Sequence, residues 1–281
     1  MTIFRVDFGS SVGLGHLMRS LVYAKRFNEV VYISKSNQKE MLPYPLITIQ
    51  NEEEFFLHVK KLQPKEVVID NYAFTIEYQK KFKQLFPYIK LSCFDDEYKE
   101  YACDEIINHN LGAKKKYYKE PNKVKLITPL IREAFIKTKK RRYRKKEKIV
   151  ISFGGSDAKG LSLRTLWLLR GLCVDLFITY HNKDIKKLKR FTFLHKNVTL
   201  HIDKEIAPIL AQAKIAIVTP STIAYEAIYL DTNFIAVQVA KNQDMLVRYL
   251  KKKRYTVLQE RELWKIHSKL LLQMRLELKK R

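Results

Sequence analysis

Residues 2–27 read TIFRVDFGSSVGLGHLMRSLVYAKRF, and three patterns succeed one another within them. TIFRVDF (2–8) is a short alternating apolar run, GSSVGLGH (9–16) is a glycine-rich turn, and HLMRSLVYAKRF (16–27) carries apolar residues at helical spacing. A strand that passes through a glycine turn into a helix is a βα unit, and Val30-Val31-Tyr32-Ile33 begins a second strand. Outward from there, PLITI (45–49), EVVID (66–70), IKLSCFDD (89–96) and DEIINHN (104–110) are apolar runs bounded by polar residues. Helix-like EEEFFLHVKKL and TIEYQKKFKQLF lie between several of them. Strands alternating with helices predict βαβ units and a mainly parallel sheet.

The same design restarts after a basic run, TKKRRYRKKEK, where KIVISFGGSD is a buried-type strand entering a second glycine turn. VDLFITY (174–180), NVTLHI (197–202), AKIAIVT (213–219) and NFIAVQV (233–239) supply further strands. The expected fold class is therefore α/β, with two Rossmann-like domains facing a cleft. Residues 1–136 would form the N-terminal domain, 137–148 a basic interdomain segment, 149–260 the C-terminal domain and 261–281 an amphipathic helix.

A chain of 281 residues that is 46% hydrophobic and 30% charged suits two folded domains. It has no run of 18 apolar residues and no secretion signal at its N-terminus, so a cytoplasmic protein without membrane insertion is expected. Three cysteines (Cys93, Cys103, Cys173) with no CxxC pair suggest neither a disulfide framework nor structural zinc. The formal net charge of +25 calls for an anionic partner, whether nucleic acid, lipid headgroup or nucleotide. Helix-turn-helix spacing, Cys/His fingers and RNA-binding aromatic signatures are all missing from the sequence, so no nucleic acid is expected.

Chemistry in such a fold gathers at the carboxyl ends of the strands. In the first turn Gly9, Gly13 and Gly15 permit close backbone approach, and His16 opens the helix. The spacing is neither GxGxxG nor GxxxxGK[ST], which argues against dinucleotide and Walker-type sites. Neutral imidazole is a suitable general base for water, Arg5 and Asp7 on the preceding strand could reach the same rim, and Asp7 could orient the ring. In FGGSD, the residues Gly154, Gly155 and Ser156 would aim N–H groups at a phosphate. In VTPSTIAYEAIYL, Pro220 suits a first helical turn, Ser221 and Thr222 suit a cap, and Glu226, one turn in, could accept both hydroxyls of a ribose. Combined with AKNQD (240–244), these make a nucleotide-sugar site. Glu52-Glu53-Glu54 reads as a helix N-terminal turn, and Asp95-Asp96-Glu97 could bind a metal, against which no His lies nearby in sequence.

The full set of motifs is R-x-D-x5-G-x-G-H-x-x-R from Arg5 to Arg19, DNY at 70–72, FDDE at 94–97, PLIREAF at 129–135, GGSD at 154–157, Glu226 and Asn242-Gln243. In this order it resembles the UDP-2,4-diacetamido-2,4,6-trideoxy-β-L-altropyranose hydrolases of bacterial pseudaminic acid biosynthesis, a route to flagellin glycosylation. The C-terminal domain also resembles that of the GT-B transferase that adds N-acetylglucosamine in peptidoglycan synthesis. The resemblance implies a GT-B-like fold and a UDP-sugar substrate hydrolysed to UDP and free sugar with inversion, without metal or cofactor. It gives His16 the general-base position, Gly154, Gly155 and Ser156 the diphosphate, and Glu226 the ribose. Asn242 and Gln243 would meet the sugar or leaving UDP, and Tyr72 would line the sugar side. A glycosyltransferase with the same donor is the main alternative, and a basic binding protein is a second. Docking of another enzyme of the same pathway on the basic surface is left open.

Overall fold

The chain divides into two compact units, Met1–Leu130 and Ile131–Arg281. The computed structural model describes residues 1–9, 14–141, 143–154, 157 and 159–278. In the first unit the order is β1 (Thr2–Val6), α1 (Gly15–Ala24), β2 (Val30–Ser34), β3 (Leu46–Thr48), α2 (Glu52–Leu62), β4 (Glu66–Asp70), α3 (Ile76–Leu85), β5 (Lys90–Phe94), β6 (Glu105–Asn108) and β7 (Val124–Leu126). Its seven strands form one parallel sheet in the order β3-β2-β1-β4-β5-β6-β7. Every strand expected from the sequence is present, and β7 is an addition.

Alternation along these strands sorts the side chains onto two faces. Ile3, Ile33, Val67, Ile69, Leu91 and Cys93 meet Phe55, Val59 and Phe82 of α2 and α3 on one face. Phe4, Val6, Tyr32, Val68, Phe94 and Ile107 meet Leu17 and Tyr23 of α1 on the other. Complete burial of a side chain such as Phe55 or Leu17 contributes about 1.5–3 kcal/mol. The helix α2 is bounded by its own chemistry: the Asn51 side chain accepts from Glu54 N–H at 2.9 Å, and Gln63 turns the chain off with φ +47°.

In the second unit, α4 (Glu133–Lys139), β8 (Lys146–Ser152), α5 (Leu161–Leu168), β9 (Val174–Ile178), α6 (Ile185–Leu194), β10 (Val198–Ile202), α7 (Ala207–Gln212), β11 (Ala213–Val218), α8 (Thr222–Tyr229), β12 (Phe234–Gln238), α9 (Asp244–Lys252), β13 (Thr256–Gln259) and α10 (Ile266–Leu278) follow. The six strands are parallel in the order β10-β9-β8-β11-β12-β13 around a core that includes Ile151, Leu176, Ile217 and Ile235. Of the basic run 137–148, residues 137–139 end α4, whose Phe135 and Thr138 are buried and which packs on α7 and α8, and residues 146–148 open β8. The expected C-terminal helix starts later, at Ile266, after a 3-10 turn over Glu260–Lys265.

Counted from its own first strand, each sheet has the order 3-2-1-4-5-6, with β7 extending the first. Strand order therefore reverses direction beside β1 and beside β8. The carboxyl ends of β1 and β4, and of β8 and β11, are the places where crossovers leave to opposite sides and a crevice opens.

Candidate active site

His16 lies in the first turn of α1, and Asp70 is the last residue of β4. His16 Nδ1 stands 2.5 Å from Asp70 Oδ1, and Asp70 is buried. One helical turn on, Arg19 reaches the same carboxylate with Nε and Nη2, both at 2.6 Å. Its Nη1 donates to both oxygens of Asp96 at 2.7 and 2.8 Å. Tyr72 donates its hydroxyl to Asp96 Oδ2 at 2.6 Å and meets the His16 ring edge-on at 4.6 Å between centroids. Asn110 donates to Asp96 Oδ1 at 2.8 Å, and the Arg19 guanidinium lies over Phe94. Strand parity makes this cluster possible. Asp70 continues the face of Val68, Asp96 that of Phe94 and His109 that of Ile107, which is the face α1 covers.

One guanidinium is thus shared by two buried carboxylates, leaving a net negative charge beside His16. Burial pushes the Asp70 carboxyl up, but Arg19 and His16 outweigh it and hold it below the ordinary carboxylate range. Asp96 is held low in the same way, by Arg19 against burial. Burial, reinforced by Arg19, pushes His109 down to about 4, so this buried ring is neutral at pH 7. With His16 Nδ1 donating to Asp70, Nε2 is the acceptor nitrogen, and it has no partner among the described residues. An ionised carboxylate behind an imidazole fixes its tautomer and stabilises the imidazolium that forms when it takes a proton.

The sequence reading placed Asp7 behind His16, and the structure corrects this. Asp7 shares the parity of Arg5 and faces the opposite side of the sheet, where it takes Arg5 at 2.5 and 3.0 Å and Asn71 at 2.8 Å. Arg5 is likewise no rim residue: it is 0% exposed, and its remaining donors meet Glu52 at 2.7 and 3.0 Å. Glu52 is therefore a buried counter-ion as well as a first-turn acid of α2. Gly15 opens α1 with free space where a side chain would project, while Gly13 lies outside the described residues. Asp95 and Asp96 diverge. Asp95 takes the hydroxyls of Tyr101 and Tyr118 and the N–H groups of Glu97 and Tyr98, which organises its own loop.

In the second unit Gly154 has φ +85°, a conformation that favours glycine, while Gly155 and Ser156 lie outside the described residues. Asp157 caps α5 by accepting from Leu161 and Ser162 N–H at 2.9 and 2.8 Å. Those two N–H groups of the first turn of α5 are thereby already occupied. After β11, Pro220 stays outside the helix, Ser221 is the N-cap residue and Thr222 starts α8. The Ser221 hydroxyl bonds that of Thr219 at 3.0 Å and makes no capping bond, so the positive end of α8 keeps its N–H groups free of a side-chain cap.

Glu226 is 0% exposed, and both its oxygens are held by Arg132, at 2.6 Å each, an arrangement in which no ribose hydroxyl reaches it directly. Burial lifts its carboxyl above the ordinary value even against that guanidinium. Gln243 turns its carbonyl inward onto Val239 N–H at 2.9 Å, and Asn242 sits beside it, half-buried, in the 3-10 turn Lys241–Gln243. Asp70, His109 and Arg132 have no role in the sequence reading, and Asp96 has only that of a possible metal ligand, although all but His109 lie in the quoted motifs.

The chain matches no protein-family model. It is similar to the UDP-2,4-diacetamido-2,4,6-trideoxy-β-L-altropyranose hydrolase of Campylobacter jejuni, at 32% identity over 268 residues covering 91% of this chain and 97% of that protein. Its structure resembles MurG of Acinetobacter baumannii, with TM-score 0.59 and 11% identity over 96% of this chain and 90% of that one. It also resembles HepE of Anabaena in complex with UDP, with TM-score 0.61 and 11% identity over 98% and 91%. At that identity these likenesses bear on the fold alone, which is GT-B-like. No described helix is long and apolar enough to cross a membrane. The chain is an enzyme, and by its sequence it belongs to the UDP-2,4-diacetamido-2,4,6-trideoxy-β-L-altropyranose hydrolase family.

Proposed function

We propose that this enzyme hydrolyses UDP-2,4-diacetamido-2,4,6-trideoxy-β-L-altropyranose to UDP and the free sugar, with His16 as general base. The observation that carries the chemistry is the contact of His16 Nδ1 with the buried Asp70 carboxylate, which leaves Nε2 to accept a proton. In the proposed step, a water gives its proton to Nε2 while its oxygen bonds to the anomeric carbon. The bond from that carbon to the diphosphate oxygen breaks, and UDP leaves with the electron pair. Attack opposite the leaving group inverts the anomeric centre. Asp70 stabilises the imidazolium, and Arg19 keeps Asp70 ionised, so the charge change is met by groups already in place.

On the nucleotide side, the turn after β8, with Gly154, Gly155 and Ser156, and the end of α8 with Ser221 and Thr222 would meet the diphosphate. Glu226 would meet the ribose after exchanging Arg132 for the hydroxyls, and Asn242 and Gln243 would face the sugar or the departing UDP. Tyr72, half exposed and in contact with His16, would line the sugar side. The proposed step needs neither cofactor nor divalent ion. The product UDP and the free sugar make the enzyme one step of pseudaminic acid biosynthesis.

The deciding assay measures UDP and free sugar from the diacetamido-trideoxy-altrose nucleotide in EDTA, with UDP-N-acetylglucosamine in parallel and the anomeric configuration followed by NMR. Selective release with inversion supports the proposal. UDP release that requires an added acceptor would make the enzyme a glycosyltransferase instead.

A further inference from the structure

The proposed reaction uses few of the 54 Lys and Arg residues, and one surface of the second unit combines unneutralised cations with large apolar side chains in solvent. Between residues 160 and 197 there are eight Lys/Arg and only two acids, Asp175 and Asp184. Asp175 is buried between Lys148 and His201, and Asp184 pairs with Lys187 at 3.1 Å. Lys186, Lys189 and Arg190 are exposed and have no acidic partner among the described residues.

Helical periodicity sets these three on the outer side of α6. Leu188 and Phe191 face the core, so Lys186, Lys189, Arg190 and Phe193 project away from it. Phe193 and Leu194 are 73% and 65% exposed, so most of each apolar side chain is in solvent. Trp167 of α5, also mostly exposed, lies edge-on to Phe191 at 5.1 Å and to His195 at 6.1 Å, beside the same end of α6. Lys196 covers one side of the Phe193 ring at 4.8 Å.

Cations along one helix face, ending in an exposed Phe-Leu pair next to a tryptophan, match the anatomy of an interfacial contact. The ammonium and guanidinium groups meet anionic headgroups, and the apolar tip enters the boundary with the acyl chains. A second copy of this chain would bring the same positive charge to the contact. A duplex nucleic acid, whose bases are already stacked, would reward the cations but leave Phe193 and Leu194 without a partner. We propose that the outer face and C-terminal end of α6, with Trp167 beside it, form a docking surface for an anionic lipid bilayer, which the protein joins peripherally.

The test uses the full chain and co-sedimentation with vesicles of phosphatidylcholine alone, or with about one third phosphatidylglycerol, at about 0.15 M salt. Binding to the anionic vesicles only is expected. Lys186→Glu/Lys189→Glu should lower the partition coefficient at least about 30-fold, from the attraction that each cation contributes near such a surface. Phe193→Ser/Leu194→Ser should lower it about tenfold or more with an unchanged circular dichroism spectrum. In a Trp264→Phe variant, emission from Trp167 should shift to the blue on anionic vesicles. Equal binding to both vesicle types, or no binding, would overturn the proposal. So would an equal loss in the control Lys115→Glu/Lys116→Glu, which would assign the effect to net charge. Duplex DNA that binds through α6 while vesicles do not would make the face a nucleic-acid contact.

Discussion

Asp70→Asn removes one negative charge and one acceptor from the centre of the first unit's cluster while keeping side-chain size. In the wild type, Asp70 takes His16 Nδ1 at 2.5 Å and two Arg19 donors at 2.6 Å. An asparagine oxygen would be claimed by the charged guanidinium. Its amide would then face His16 Nδ1, which accepts that hydrogen bond only if the ring carries its proton on Nε2. The nitrogen proposed to receive the proton of water would already hold one. The equivalent change in a serine-protease triad, which acts by the same tautomer reversal, costs about four orders of magnitude, so kcat should fall about 10³- to 10⁴-fold with KM nearly unchanged. Arg19, almost wholly buried, would keep Asp96 as its one carboxylate, and losing half of such an arrangement costs about 3 kcal/mol. The assay is UDP release at about 20 °C on protein shown to be folded by circular dichroism, alongside chemical denaturation. A folded Asp70→Asn enzyme with kcat within tenfold of wild type would refute the orienting role of Asp70.

His16→Asn should lower turnover by about two to four orders of magnitude with little loss of stability, since the ring is at the edge of the cluster, and single-turnover UDP release reads this directly. Glu226→Gln should weaken UDP binding and raise KM about tenfold or more while leaving kcat nearly intact, because a ribose contact is made equally in ground and transition states. Calorimetric titration with UDP checks it, and an unchanged affinity would remove Glu226 from the nucleotide site. His109 is buried with a pKa pushed down from 6.5 to about 4, so the folded protein binds fewer protons there than the unfolded chain. Its contribution is complete above pH 6.5 and is lost as the pH falls toward 4, an order of about 3 kcal/mol. The urea midpoint of His109→Gln should accordingly be less pH-dependent than that of wild type across this window.

Long apolar runs make most of both sheets legible in the sequence, because strands buried on both faces have to be nearly continuous hydrophobic segments. The two strands that escape such a reading, β7 and β13, have three and four residues and sit at sheet edges among lysines, where half-solvated backbone places little demand on composition. His16 is legible from its place between a glycine turn and a helix. Its partner is legible in principle too: in EVVID the aspartate shares the parity of Val68, which α1 covers, whereas Asp7 shares that of Arg5 and Ile3. The grip of Arg132 on Glu226 spans 94 positions and leaves no local trace, since each residue alone is an ordinary helix or loop charge.

The short outer strands have a consequence for how these molecules behave in company. β3 and β7, which close the first sheet, have three residues each, and β13 closes one side of the second with four. A foreign strand laid against such a margin finds only one or two rungs to complete, too few to offset the entropy of aligning two chains. Cross-β stacking and strand exchange, the usual hazards of open sheets, are thus blunted by truncation, and any oligomer these margins take part in must be joined through side chains and not by extending the ladder.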